Sequence, residues 1–125
     1  MTSFFWVGAG AVLGANARYL IGLWAGGRFG IGFPYGTLLV NLTGSLILGF
    51  VVAMVSGRLN IPAEVRLFLS VGFLGSYTTF SSFSVESVLL LEGDSIWLGL
   101  FNILGNNLGG ITCALLGVLL ARAIA

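Results

Sequence analysis

Four long apolar runs, each able to cross a lipid bilayer as a helix, dominate this chain of 125 residues. A membrane-spanning helix needs about 20 consecutive, mostly apolar residues. The runs cover residues 4–26, 35–56, 65–91 and 96–121. Short polar connections join them, which places neighbouring helices antiparallel. The sequence therefore predicts an all-α integral membrane protein, with a single domain over residues 1–125 and four transmembrane helices.

The composition supports a lipid-facing surface and excludes several classes of function. Hydrophobic residues make up 58% of the chain and charged residues 7%, whereas soluble domains carry about 25% charged residues. The net charge is +1, so nothing indicates a nucleic-acid partner. There is no His and one Cys, which excludes imidazole catalysis, His-ligated metal sites and an intrachain disulfide. We expect a multi-pass protein of the cell membrane that is not an enzyme.

The arginines give only a weak preference for one orientation in the membrane. Arg58, Arg66 and Arg122 fall on the side of the termini, and Arg28 falls on the other side. Positively charged loops stay in the cytoplasm, so this distribution favours cytoplasmic termini. A bias this small would also let a fraction of the chains insert the other way up.

Glycine is abundant, with 20 residues in the chain. Small residues let membrane helices approach closely. Three pairs have the four-residue spacing that places both members on one helix face, and we interpret them as packing residues: Gly10/Gly14, Gly22/Gly26 and Gly105/Gly109.

The third apolar run is interrupted by a polar stretch over residues 76–84. Every residue in this stretch carries a hydroxyl group except Phe80 and Phe83. The flanking apolar pieces are each too short to cross a membrane alone, so together with the polar stretch they form one span. We therefore predict that the third helix is broken near the membrane centre, with Gly72 and Gly75 as the positions for the break.

A broken helix is tolerated in a membrane only where it is buried in protein or lines a cavity. Its free carbonyl groups can hold a cation, and its free amides and hydroxyls can donate to an anion. Phe80 and Phe83 share a helix face, and the positive edge of a phenyl ring can contact an anion. The alternative is that the hydroxyls bond back to their own helix, which suits one or two such residues better than seven.

Further polar residues fall at membrane depth, both in the other three runs and after the polar stretch of the third. Arg18 and Glu86 are ionisable, and intramembrane charges are functional candidates by default; both can equally serve structural bonds. Amide side chains can donate to an anion or simply bond helix to helix. The amide residues concerned are Asn16, Asn41, Asn102, Asn106 and Asn107.

The motif Gly75-Ser-Tyr-Thr-Thr-Phe-Ser-Ser-Phe-Ser-Val-Glu86 resembles the signature of the Fluc (CrcB) family of bacterial fluoride channels, G-x-x-[ST]-T-F-S-[ST]-F-S-x-E. The similarity extends to Gly36-Thr-Leu-Leu-Val-Asn41, to Asn16-Ala-Arg18 and to the length of four spans. It covers essentially the whole chain.

This resemblance implies an antiparallel, dual-topology homodimer with two pores, through which fluoride leaves the cytoplasm passively. It also implies a structural sodium ion at the dimer centre, held by the backbone carbonyls of Gly75 and Thr78 from both subunits. Phe80 and Phe83 would be the pore phenylalanines and Asn41 a donor in the pore. The remaining expected pore residues are Thr37, Thr79, Ser81, Glu86 and Arg18, together with Asn106 in the fourth span.

The fourth span departs from the family pattern. An alignment on Ala114-Leu-Leu-Gly117 puts Asn106 at a polar pore position, but Gly110 and Ala114 then replace hydroxyl residues. Two other readings remain: a small structural subunit of a larger complex, and a dual-topology, proton-coupled exporter of cationic compounds. The exporter needs a carboxylate at mid-depth in the first span, where this sequence has Arg18 and no acid.

Overall fold

The protein is described from a computed structural model, which covers residues 1–57, 59–93 and 95–124. Within these ranges the regular structure is entirely helical. The helices are α1 (Thr2–Phe29), α2 (Tyr35–Ser56), α3 (63–77), α4 (Ser81–Glu92) and α5 (Ile96–Ile124). Arg58, one of the three arginines that favour cytoplasmic termini, lies outside the described ranges.

Three of these helices are long and apolar enough to cross a membrane. They are α1, α2 and α5, with mean hydropathies of 1.2, 2.3 and 1.7. The core is small: Val40, Leu74 and Tyr77 form its buried centre, while many Leu, Ile, Val and Phe side chains lie on the surface. This is the inverse of a water-soluble fold, and the chain is an all-α, multi-pass membrane protein, as predicted.

The first helix continues past the apolar run predicted for it and ends at Phe29. Gly30 follows with φ of 85°, a left-handed conformation that glycine adopts without strain. Its N–H donates to the carbonyl of Gly26 at 3.0 Å and closes the helix end. The loop after it is fixed by Phe33, whose buried ring packs edge-on against Tyr35 and Phe101.

Helix α3 lies directly against α1 because glycines remove the side chains between them. A Cβ atom at Gly10 or Gly14 would collide with the backbone of Phe68 or Phe73, and one at Gly72 would collide with Val7. This confirms the packing role predicted for the first glycine pair. Gly105 and Gly109 contact Leu38 and Leu42 of α2 instead.

Two segments are wound as π-helix, with one residue more per turn than an α-helix. They are Leu67–Leu74 within α3 and Gly105–Gly109 within α5. Gly72 lies in the first of these segments, and Gly75 is helical with φ of −63°. Placing the interruption at these two glycines was wrong: the residues between α3 and α4 are Thr78, Thr79 and Phe80.

Candidate functional site

The chain leaves helical geometry at Thr78, which is extended with φ −84° and ψ 161°. The side chain of Asn41 in α2 bonds to both backbone polar groups of the next residue, Thr79. Its Oδ1 accepts the Thr79 N–H at 2.8 Å, and its Nδ2 donates to the Thr79 carbonyl at 3.0 Å. An amide side chain thus replaces the helical partners of both Thr79 backbone groups, which satisfies them without water.

The first turn of helix α4 bonds to a side chain that precedes the helix. The Thr79 hydroxyl accepts the N–H of Ser82 at 3.2 Å and so satisfies one of the free N–H groups of this turn, while Phe80 is the residue directly before the helix. Thr79 therefore has two roles: its backbone is held by α2, and its side chain bonds to the first turn of α4. The polar sequence ends one helix and begins the next within three residues.

These two contacts release two carbonyl groups from their usual partners. In a continuous helix the Gly75 carbonyl would accept the Thr79 N–H, and the Thr78 carbonyl would accept the Ser82 N–H. Here those N–H groups donate to Asn41 and to the Thr79 hydroxyl instead. The carbonyls of Gly75 and Thr78, predicted to hold a cation, are thus left free of their i+4 bonds.

A cavity of about 250 Å³ lies beside the interruption. Of the predicted pore residues, it gathers Asn41, Thr79, Phe80, Phe83 and Asn106. The two phenyl rings are tilted at 55° with centroids 5.8 Å apart. Phe83 is buried, whereas 78% of Phe80 is exposed on the surface of the single chain.

A second cavity of about 430 Å³ brings together Arg18, Thr37, Thr79 and Glu86. Thr37 donates to Glu86 Oε1 at 2.9 Å, and Arg18 Nε donates to the Ser76 carbonyl at 3.1 Å. Glu86 Oε2 is buried and accepts no hydrogen bond from the described part of the chain. Thr79 lines both cavities, while Ser81 lies apart from them in a shallow depression next to Glu86.

The amide donors around Asn41 are already engaged. Its two Nδ2 hydrogens go to the Thr79 carbonyl and to Asn106 Oδ1, the latter at 2.8 Å. Asn106 in turn donates to the carbonyl and side-chain oxygens of Asn102. An anion in the first cavity would have to displace one of these bonds to receive an amide hydrogen from Asn41 or Asn106. The Thr79 hydroxyl hydrogen and the phenyl edges need no such exchange.

The sequence also matches known proteins. The family described as "CrcB-like protein, Camphor Resistance (CrcB)" matches residues 5–118. The chain belongs to the CrcB family. A relative from Legionella pneumophila (strain Paris), named "Fluoride-specific ion channel FluC", is 45% identical over 94% of this chain and 88% of its own length. A protein of the same name from Chloroflexus aurantiacus is 42% identical over 98% and 97%.

This CrcB family member contains further polar contacts that were not predicted from its sequence. Ser87 donates to the Phe83 carbonyl at 2.7 Å and accepts Asn102 Nδ2 at 2.9 Å. Thr43 bonds to the Tyr77 hydroxyl at 2.9 Å. Ser87 follows Phe83 by one helical turn, so its backbone contact could have been expected from spacing. The contacts between distant segments have no local signal.

Proposed function

We propose that this chain forms a fluoride-selective channel, which lets fluoride leave the cytoplasm passively and so reduces its toxicity. One observation carries the proposal: a polar cavity edged by Phe80 and Phe83 lies at an interruption of helix, in a chain with an apolar surface. The related proteins are named as fluoride channels. The class of activity is therefore transport and not catalysis.

The interruption at 78–80 belongs near the middle of the membrane in this proposal. Helices α3 and α4 flank it and are each too short to cross the hydrocarbon layer. Together with residues 78–80 they have the length of one span. Irregular backbone at that depth requires internal partners or a cavity, and Asn41 and the neighbouring cavity meet this requirement.

A small anion would find several weak donors along this surface. The Phe80 and Phe83 rings offer positive edges, the Thr79 hydroxyl can donate, and Arg18 lines the neighbouring cavity; the Ser81 hydroxyl can donate outside these cavities. Exchange among weak sites suits conduction, because binding must be favourable enough for entry yet weak enough for release. Asn41 and Asn106 hold the lining in place and can donate when one of their own bonds opens.

The functional unit in this proposal is an antiparallel homodimer with two pores. Phe80 supports it, because a phenyl ring that is 78% exposed beside a polar cavity has room for a second subunit to complete the lining. The weak arginine bias supports insertion in both orientations. The bilayer and a second copy of the chain are thus the expected partners.

A structural sodium ion fits the carbonyl groups of Gly75 and Thr78. Hard cations take oxygen ligands, and these two carbonyls have lost their i+4 partners to Asn41 and to the Thr79 hydroxyl. Two carbonyls from each subunit would supply four oxygens on the dimer axis. The ion would contribute positive charge and would cross-link the subunits.

The cation-exporter alternative has less support. It needs a titratable carboxylate at mid-depth in the first span, and the ionisable residue there is Arg18. Glu86 lies on α4, with Oε1 bonded to Thr37. We therefore keep fluoride as the proposed substrate.

Fluoride efflux from reconstituted vesicles tests the proposal, with chloride efflux as the comparator. We expect rapid fluoride release and little chloride release. Phe80→Ile and Phe83→Ile should each reduce fluoride efflux by at least about 100-fold, since an aliphatic group has no positive edge, while the dimer stays intact in size-exclusion chromatography. Vesicles impermeable to fluoride would refute the channel, and normal efflux in both variants would refute the pore assignment.

Replacing sodium by potassium tests the cation site. If the Gly75 and Thr78 carbonyls hold sodium, a larger ion fits less well and the dimer should dissociate or lose fluoride efflux. Rubidium and lithium provide a size series at constant charge. A dimer with equal stability and efflux in all four salts would remove sodium from the proposal.

A further inference from the structure

Ser87 and Asn102 form a buried polar pair outside both cavities. Ser87 is 5% exposed and Asn102 is fully buried. Neither side chain lines the cavities around Thr79, so neither can touch an ion there. A buried polar group costs free energy unless it is hydrogen-bonded, and both of these side chains are. The Asn102 amide donates to the Ser87 hydroxyl at 2.9 Å, and this hydroxyl donates to the Phe83 carbonyl at 2.7 Å.

The pair is the last part of a chain of hydrogen bonds that begins at the interruption. The Thr79 N–H donates to Asn41, Asn41 donates to Asn106, and Asn106 donates to Asn102. Asn102 and Ser87 then complete the path to the Phe83 carbonyl. The path starts at Thr79, between α3 and α4. It passes through α2 and α5 and ends in α4 at Phe83, four residues after Thr79.

The direction of every bond in this path is fixed by its two ends. A backbone N–H can only donate, so Asn41 must present its oxygen to Thr79 and its nitrogen to Asn106. At the other end a backbone carbonyl can only accept, so the Ser87 hydroxyl must donate to Phe83 and accept from Asn102. All five bonds therefore point from Thr79 to Phe83. Bonds aligned in one sense strengthen each other, by about 10–30% per bond.

We infer that Ser87 and Asn102 are positioning residues, which fix the Phe83 carbonyl relative to Thr79 and thereby set the spacing of the ion-contacting groups. This inference rests on the proposed channel function. It assigns ion selectivity in part to two side chains that the ion never reaches. A substitution at Ser87 that removes its hydroxyl breaks this chain of hydrogen bonds. It leaves the residues that line the cavities unchanged but removes the link from Asn102 of α5 to the Phe83 carbonyl.

The primary test compares Ser87→Ala with Ser84→Ala. Both hydroxyls donate to the carbonyl four residues earlier, Ser84 to Phe80 at 2.9 Å, but Ser87 also accepts a bond from Asn102. We expect Ser87→Ala to lower fluoride efflux about tenfold and to lower the fluoride-to-chloride efflux ratio. Ser84→Ala should leave both within about twofold of the unsubstituted protein.

A second substitution tests whether the two residues act as one unit. Asn102→Leu replaces the amide by an apolar side chain with the same number of heavy atoms, and it should reproduce the Ser87→Ala defect. In a Ser87→Ala/Asn102→Leu double variant, linked residues should lose no more than either single variant, within about twofold. Losses that multiply in the double variant would show independent effects and overturn the inference.

The outcomes separate this inference from the proposed function. Unsubstituted protein that does not release fluoride would refute the channel itself. If the unsubstituted protein conducts, Ser87→Ala with normal efflux and a normal ion ratio would overturn the positioning role alone. A lower melting temperature with reduced efflux but an unchanged fluoride-to-chloride ratio would also overturn it, because that pattern reflects general stability.

Discussion

Helix α3 and the segment that follows it are held in place by opposite means. The middle of α3 lies on α1, where Gly10, Gly14 and Gly72 allow backbone to meet backbone. Its last residue leads into a segment held by the amide of Asn41, which bonds both backbone groups of Thr79. One contact depends on the absence of side chains, and the other depends on two particular side-chain atoms.

This difference indicates which kind of substitution each contact tolerates. Close packing in lipid derives its stability from van der Waals contact over many atoms, so it resists any added volume but is indifferent to polarity. The contact at Thr79 has room around it, since a cavity adjoins it, yet a buried N–H or carbonyl that loses its partner is costly. Volume should therefore matter at the first contact and hydrogen bonding at the second.

The largest effect should follow from adding one carbon atom at Gly14. A Cβ there would overlap the Phe73 carbonyl, so Gly14→Ala should destabilise the fold by about 3 kcal/mol and lower the melting temperature by about 10 °C. Gly8→Ala is the matched control, because no atom lies within 4 Å of its Cβ position. Thermal unfolding in detergent measures both. Equal melting temperatures would show that α1 and α3 are not in backbone contact.

A smaller loss of stability with a large loss of function should follow from Asn41→Leu. The change keeps the number of side-chain heavy atoms but strips the Thr79 N–H and carbonyl of their partners, at about 1 kcal/mol each because the adjoining cavity can admit water. We expect fluoride efflux to fall more than about tenfold. Asn16→Leu is the control, since Asn16 is exposed and its amide donates to the Val12 carbonyl of its own helix. Normal efflux in Asn41→Leu would show that the interruption persists without this amide.

The smallest effect should follow from Tyr77→Phe, which tests a neutral hydrogen bond close to the interruption. Thr43 donates to the Leu39 carbonyl, so the Tyr77 hydroxyl donates to Thr43. Its loss should lower stability by about 1 kcal/mol with fluoride efflux retained, because the ring remains stacked on Phe73. Thr43→Val removes this bond together with the one to Leu39, so the double variant should have the same melting temperature as Thr43→Val alone. Shifts that add in the double variant would mean that the two hydroxyls do not bond to each other.

The fold was predictable because its main signal is local. Apolar runs of sufficient length dictate membrane helices, and the observed α2 has the bounds that the second run suggests, Tyr35–Ser56. The spacing of Gly10 and Gly14 predicted a close-packing face on α1, and the structure places α3 on that face. The prediction for the non-helical residues was wrong because it rested on Gly72 and Gly75, which are both helical. The deciding groups are Asn41, far away in sequence, and the Thr79 hydroxyl.

The candidate site could be predicted by residue but not by contact. The structure gathers Asn41, Thr79, Phe80, Phe83 and Asn106 in one cavity. No sequence pattern indicates that the amide hydrogens of Asn41 and Asn106 are already engaged. Likewise, Asn102 is one of several polar residues at depth, and no pattern distinguishes Ser87 from the other serines. Their pairing depends on how α4 packs against α5, which single-residue patterns do not encode.

The lengths of α1 and α5 have a consequence for how the molecule sits in its bilayer. With 28 and 29 residues at 1.5 Å per residue, each helix is about 43 Å long, whereas the hydrocarbon layer is about 30 Å thick. Their ends therefore reach the phosphate groups of the lipids. In the proposed four-span topology Arg28 and Arg122, in the last turns of the two helices, lie at opposite membrane surfaces, where each can contact lipid phosphates of its own leaflet.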